Sequence, residues 1–188
     1  MKLWPRTPLQ RLLVLALWTV PALVGGVAVS GDASLLDLRL SLPKIDADPY
    51  HRPYVAVWIE TPDRRVVRNL ALWYEEDTWL KDLRQWWRAY GRYHGHDAAQ
   101  KGVDGFSGAT RRPGTYSLHW DGLDDDGRPL APGTYVLHFE SSREEGGRTY
   151  FKQTLDLKDG GELSLPEAPP AAGPELGPVV FGTAGDLP

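Results

Sequence analysis

The chain has 188 residues and a formal net charge of −4, with 24% charged and 41% hydrophobic residues, which excludes a disordered polyelectrolyte and a multi-span membrane protein. It contains no cysteine, so disulfides, thiolate zinc sites, cysteine-held iron–sulfur clusters and a lipoprotein anchor are excluded together. Its 20 glycines and 16 prolines favour short strands joined by turns, and each of its 8 tryptophans brings an indole N–H that needs a partner when buried.

Lys2, Arg6 and Arg11 precede an uncharged apolar run from Leu12 to Val29, and the small residues Gly25, Gly26, Ala28 and Ser30 close it. This order describes a secretory signal peptide over residues 1–30, cleaved after Ser30 or Ala28. The alternative is an uncleaved membrane anchor, which Pro21 and the glycine pair weaken as a spanning helix. Removal of residues 1–30 takes three positive charges and no acid from −4, leaving −7 on the exported chain. Such a balance suits a periplasmic protein and excludes nucleic acid as a partner, because nucleic-acid affinity rests on neutralising phosphates.

Residues 36–42 alternate apolar and polar side chains and predict a half-buried strand. Tyr54 to Glu60 is apolar on both faces, as in a central strand, and Thr61-Pro62-Asp63 turns the chain into a return strand from Val66 to Trp73. Trp79, Leu80, Leu83, Trp86, Trp87 and Tyr90 then recur at three- and four-residue spacings. They predict one helix, capped by Asp77 or Thr78 and ended by Gly91. A long irregular loop follows over residues 91–114. Pro113 to Trp120 is echoed 19 residues later by Pro132 to Phe139, each copy a turn and an alternating strand, with Asp121 to Gly127 as the hairpin tip between them. In that arrangement His119 and His138 face solvent.

Tyr150 to Leu157 adds a strand, and residues 166–188, rich in Pro, Gly and Ala, predict a flexible tail. The fold class is therefore mainly all-β, an immunoglobulin-like β-sandwich over residues 31–165 with one inserted helix and a long loop. Trp120-Asp121-Gly122 through Leu130 to Tyr135 also resembles the immunoglobulin-like hairpin of flagellar hook-cap proteins.

Within the long loop, Asp104-Gly105-Phe106-Ser107-Gly108-Ala109-Thr110 reads D-x-x-S-G-A-T. It resembles the acceptor motif of FAD:protein FMN transferases, which attach FMN through a phosphoester to the final threonine. A threonine hydroxyl can be the nucleophile only if a second protein's active site reaches it, so the motif predicts an exposed, thin loop. Gly108 and Ala109 add little bulk, and Ser107 and Asp104 can bond nearby backbone. Arg111 and Arg112 can pair with an installed phosphate. The bland reading is an ordinary Gly-Ala-Thr turn.

The segments Tyr50 to Trp58, Leu70 to Tyr74, Trp79 to Arg84, Trp86-Trp87, Gly108 to Arg111 and Trp120 to Gly122 together resemble a bacterial family of predicted periplasmic proteins. That family is linked to covalent flavinylation and often to PepSY-type membrane partners. The resemblance implies FMN on Thr110, a separate FAD:protein FMN transferase as modifying partner and a PepSY-type redox partner. It implies an electron carrier more than a standalone enzyme. Trp86 and Trp87 are candidates for a platform against the flavin ring, the alternative being core packing for at least one, since adjacent helical residues point about 100° apart. A different class of function also fits: a non-redox immunoglobulin-like binding or scaffold module of the cell envelope. His94-Gly95-His96-Asp97 is weak as a metal site, and the Asp121–Gly127 acids fall at the wrong offsets for a calcium loop.

Overall fold

A computed structural model describes residues 34–94, 106–165 and 172–183. Among the described residues nine strands form two sheets. The smaller sheet has the order β5-β1-β9, with β1 at Leu36–Leu42, β5 at Gly114–Trp120 and β9 at Val179–Gly182. The larger has the order β4-β3-β2-β6-β7-β8. Its strands are β2 (Tyr54–Glu60), β3 (Val66–Trp73), β4 (Ser107–Gly108), β6 (Gly133–Ser142), β7 (Arg148–Leu157) and β8 (Leu163–Ser164).

Alternation explains the inner layer. Leu36, Leu38, Leu40 and Leu42 of β1 point into one core with Val55, Val57 and Ile59 of β2, Leu137 and Phe139 of β6, and Trp120 of β5. This core lies between the two sheets, as the sandwich reading requires. β2 lacks alternation because its other face is buried as well. There Ala56 and Trp58 join Leu72, Leu80, Leu83 and Trp86 in a second cluster beneath residues 77–94.

That covering segment is not one regular helix. A 3-10 turn at Asp77–Asp82 leads into an α turn at Arg84–Trp86, a π turn at Trp87–Gly91 and a last α turn at Arg92–His94. Neither Asp77 nor Thr78 caps it; Glu76 occupies the N-cap position and makes no side-chain cap bond. The α turn is capped instead from another strand. Glu140 of β6, fully buried, accepts from the backbone N–H groups of Gln85 and Trp86 at 3.0 and 2.9 Å. Nor does Gly91 end the segment. A Cβ there would lie 2.4 Å from the Trp87 ring and 2.9 Å from that of Trp86, so glycine is required by the close approach of two indoles.

The echoing strands belong to different sheets, so residues 121–130 carry the chain across the sandwich and are no hairpin tip between β5 and β6. Asp125 fastens this crossover to β3, its carboxylate accepting from Asn69 N–H at 2.9 Å and Asn69 Nδ2 at 2.8 Å. His119 is exposed, with Nδ1 2.7 Å from the Asp37 carboxylate. His138 is the opposite case: it is 6% exposed and stacked on Trp58 at 4.8 Å, because Trp58, His138 and Lys152 are in register across β2, β6 and β7 on the covered face. Burial holds its pKa down at about 4, with Lys152 adding to the effect, so its contact with Glu60 is one of a neutral imidazole, not an ion pair.

The segment expected to be a flexible tail returns to the sandwich within its described part. β9 pairs antiparallel with β1 over Asp37–Leu40, and Leu176 and Val179 are fully buried. Glu175 is held in the interior by the Arg143 guanidinium at 3.0 Å and by Gly147 N–H at 2.7 Å. Composition hid this because a short apolar run flanked by Pro and Gly is enough to cover the open edge of β1.

Candidate functional site

The acceptor-like motif begins outside the described residues with Asp104, and its remaining part forms a sheet edge. Ser107 and Gly108 pair in parallel with Leu72 and Trp73. Phe106 O accepts from Leu72 N–H and Gly108 O from Tyr74 N–H, both at 3.0 Å. Phe106 anchors the strand against the cluster under the helical segment. At Gly108 an added Cβ would meet only the Trp73 ring at 3.8 Å, an ordinary contact, so its use here is lack of bulk, not a special backbone angle.

Beyond the strand the chain runs along the end of β3. Ser107, Ala109, Arg111 and Arg112 are exposed. Thr110 is not: its residue exposure is 6%, and its Oγ1 points to Glu75 Oε2 at 3.5 Å, the outer limit of a hydrogen bond. The expectation of an exposed hydroxyl is thus corrected to one lying under the surface, beside an exposed carboxylate. The register of β4 on β3 brings Glu75 there, two residues past the end of β3; no local motif in the sequence announces it.

Arg111 extends over two aromatic rings, its guanidinium 4.6 Å from the Trp73 centroid and 5.1 Å from that of Tyr116. Trp73 and Tyr116 meet edge to face at 5.3 Å, and the Tyr116 hydroxyl donates to Arg112 O at 2.6 Å. Arg111 is therefore stacked, with its charge at the surface next to Thr110. Tyr116 was legible in the sequence as a strand residue, but its place under Arg111 depends on the pairing of β5 with β1.

The two tryptophans proposed as a platform separate. Trp86 is fully buried and donates its indole N–H to Asn69 Oδ1 at 3.0 Å, which is the core reading for one of the pair. Trp87 remains partly exposed and packs at the edge of the same cluster. Among the described residues no group of His, Asp or Glu side chains could hold a metal ion. Of the His94–Asp97 run only His94 is described, with its ring stacked on Tyr90 at 3.9 Å.

A family model described as "Predicted periplasmic protein (DUF2271)" matches residues 36–168. No curated protein and no solved structure matches the chain. The matched span runs from the start of β1 past β8, so it takes in the edge strand, Thr110 and the covered face together.

Proposed function

The chain belongs to the DUF2271 family of periplasmic proteins, and from that premise we propose that it is an exported electron carrier bearing FMN covalently on Thr110. The observation that carries the reading is the D-x-x-S-G-A-T motif, whose Ser107 and Gly108 form a two-residue edge strand, with a cation beside the threonine that follows. Attachment by a separate FAD:protein FMN transferase joins Thr110 Oγ1 to the FMN phosphorus. It breaks the FAD pyrophosphate and releases AMP and the hydroxyl proton. The residues fit this chemistry in kind. The hydroxyl supplies the nucleophile, Glu75 stands at its proton, and Arg111 presents a guanidinium to the product phosphate. The small exposed side chains of Ser107 and Ala109 leave the approach open.

Thr110 must be uncovered for the reaction, and β4 is the element that can release it. A two-residue edge strand opens at small cost compared with the central strands. Once installed, the flavin carries the redox chemistry, and the protein holds and presents it to a PepSY-type membrane partner. Co-expression with an FMN transferase should give a protein whose flavin absorbance survives denaturation. Thr110→Ala should abolish that absorbance and Thr110→Ser should retain it.

The burial of Thr110 favours a second reading, a non-redox immunoglobulin-like module in which the Gly-Ala-Thr segment is structural. It predicts a colourless protein in the same cells and no spectroscopic change in Thr110→Ala.

A further inference from the structure

The helical segment and the outer face of the larger sheet leave a cleft of about 510 Å3 between them. Buried Glu60 and His138 lie on its inner side, and four exposed cations line its outer part: Arg64 from the β2–β3 turn, Arg88 and Arg92 from the helical segment, and Lys152 from β7. Glu60 is the only acid among the lining residues, and its Oε1 already accepts from Trp58 Nε1 at 2.7 Å. Among the described residues none of the four cations has an ion-pair partner, and Arg92 only stacks on the Tyr93 ring and contacts its hydroxyl. On an exported chain of charge −7, four cations converging on one cleft opposed by one carboxylate form a local field that packing does not require.

His138 supplies the second observation. Its Nδ1 lies 2.9 Å from the Tyr150 hydroxyl, while Nε2 is buried with no hydrogen-bond partner. Glu60 Oε2 at 3.5 Å is outside bonding geometry but close enough to repel a lone pair, so Nε2 carries the proton. The cleft's inner wall thus holds a buried N–H without a hydrogen-bond partner, behind three exposed guanidinium groups.

We propose that this cleft is a binding site for a small phosphorylated molecule. Phosphate rather than carboxylate is favoured because a tetrahedral group offers more oxygens than a planar one, so several guanidinium forks can share it. Five residue steps along β2 separate Glu60 from Val55, which pairs with Trp73 at the end where the Thr110 segment lies, on the order of 17 Å, so this is not the cradle of a phosphate on Thr110.

Calorimetric titration of the full exported chain, made without transferase and again with it, tests the site with inorganic pyrophosphate and with citrate at low and physiological salt. One pyrophosphate should bind per chain at both salt levels, at least tenfold more tightly than citrate. Arg88→Glu and Lys152→Ala, checked for native melting, should each weaken it at least fivefold, while Arg128→Glu, which does not line the cleft, should not. Absence of saturable binding overturns the proposal, as does equal affinity for citrate or an equal loss in the Arg128 variant. Lys152→Ala decides alone if Arg88→Glu fails to fold. The flavin-free arm keeps the outcome independent of modification at Thr110.

Discussion

Glu140 carries a charge in a fully buried position, where an unpaired carboxylate is costly, and its surroundings remove that cost. It accepts two backbone N–H groups at the start of the α turn and the Arg148 Nε at 2.7 Å. Glu140→Ala leaves those donors and a half-covered guanidinium unpaired and should destabilise by about 3 kcal/mol. Urea unfolding measures this, and a surface-like loss below about 0.5 kcal/mol would contradict it. His138 offers a pH test. Its folded pKa of about 4 lies below the ordinary value of 6.5, so between these pH values the unfolded chain binds a proton that the folded chain does not. Its contribution to stability is intact above pH 6.5 and is lost as pH falls towards 4, by up to about 3 kcal/mol. His138→Phe should flatten the stability profile between pH 6.5 and 4.5 relative to the parent chain; parallel profiles would contradict the burial argument. At this scale the D-x-x-S-G-A-T motif was legible because its residues are consecutive. Glu75, the Arg111 stack and the burial of His138 were not, because each is made by strands distant in sequence.

The elements divide along the same physical line. β1, β2 and β3 were readable because period-two burial, or its absence in a strand covered on both faces, is written into local residue order. The helical segment was readable as a stripe but not in geometry. Its cap comes from Glu140, 54 residues from Trp86, and its π turn accommodates two indoles against Gly91. β9 was missed because its stability comes from pairing with β1 and from the Glu175–Arg143 contact, not from its own composition. Val179→Asp places an unpaired carboxylate in the core and should lower stability by about 3 kcal/mol or more. A urea midpoint equal to that of the parent would restore the flexible-tail reading.

At the scale of the molecule, the sandwich of the described residues holds two chemically distinct places at opposite ends of β2. One is an edge segment with a threonine, a carboxylate and a stacked arginine; the other is a cationic cleft under the helical segment. Such separation suits the proposed carrier, with a tethered cofactor on one edge and the opposite end free for a different contact. The sandwich follows from strand count and alternation, whereas the crossover between β5 and β6 does not, because a turn-rich sequence is the same whether the next strand joins the same sheet or the facing one. The proposed carrier stands or falls with attachment at Thr110. Intact mass of the exported protein, denatured after co-expression with an active FMN transferase, tests it most directly. The expected result is a gain of one FMN less one water, carried by the peptide containing Thr110. An unmodified mass, with a known acceptor flavinylated in the same cells, would contradict it.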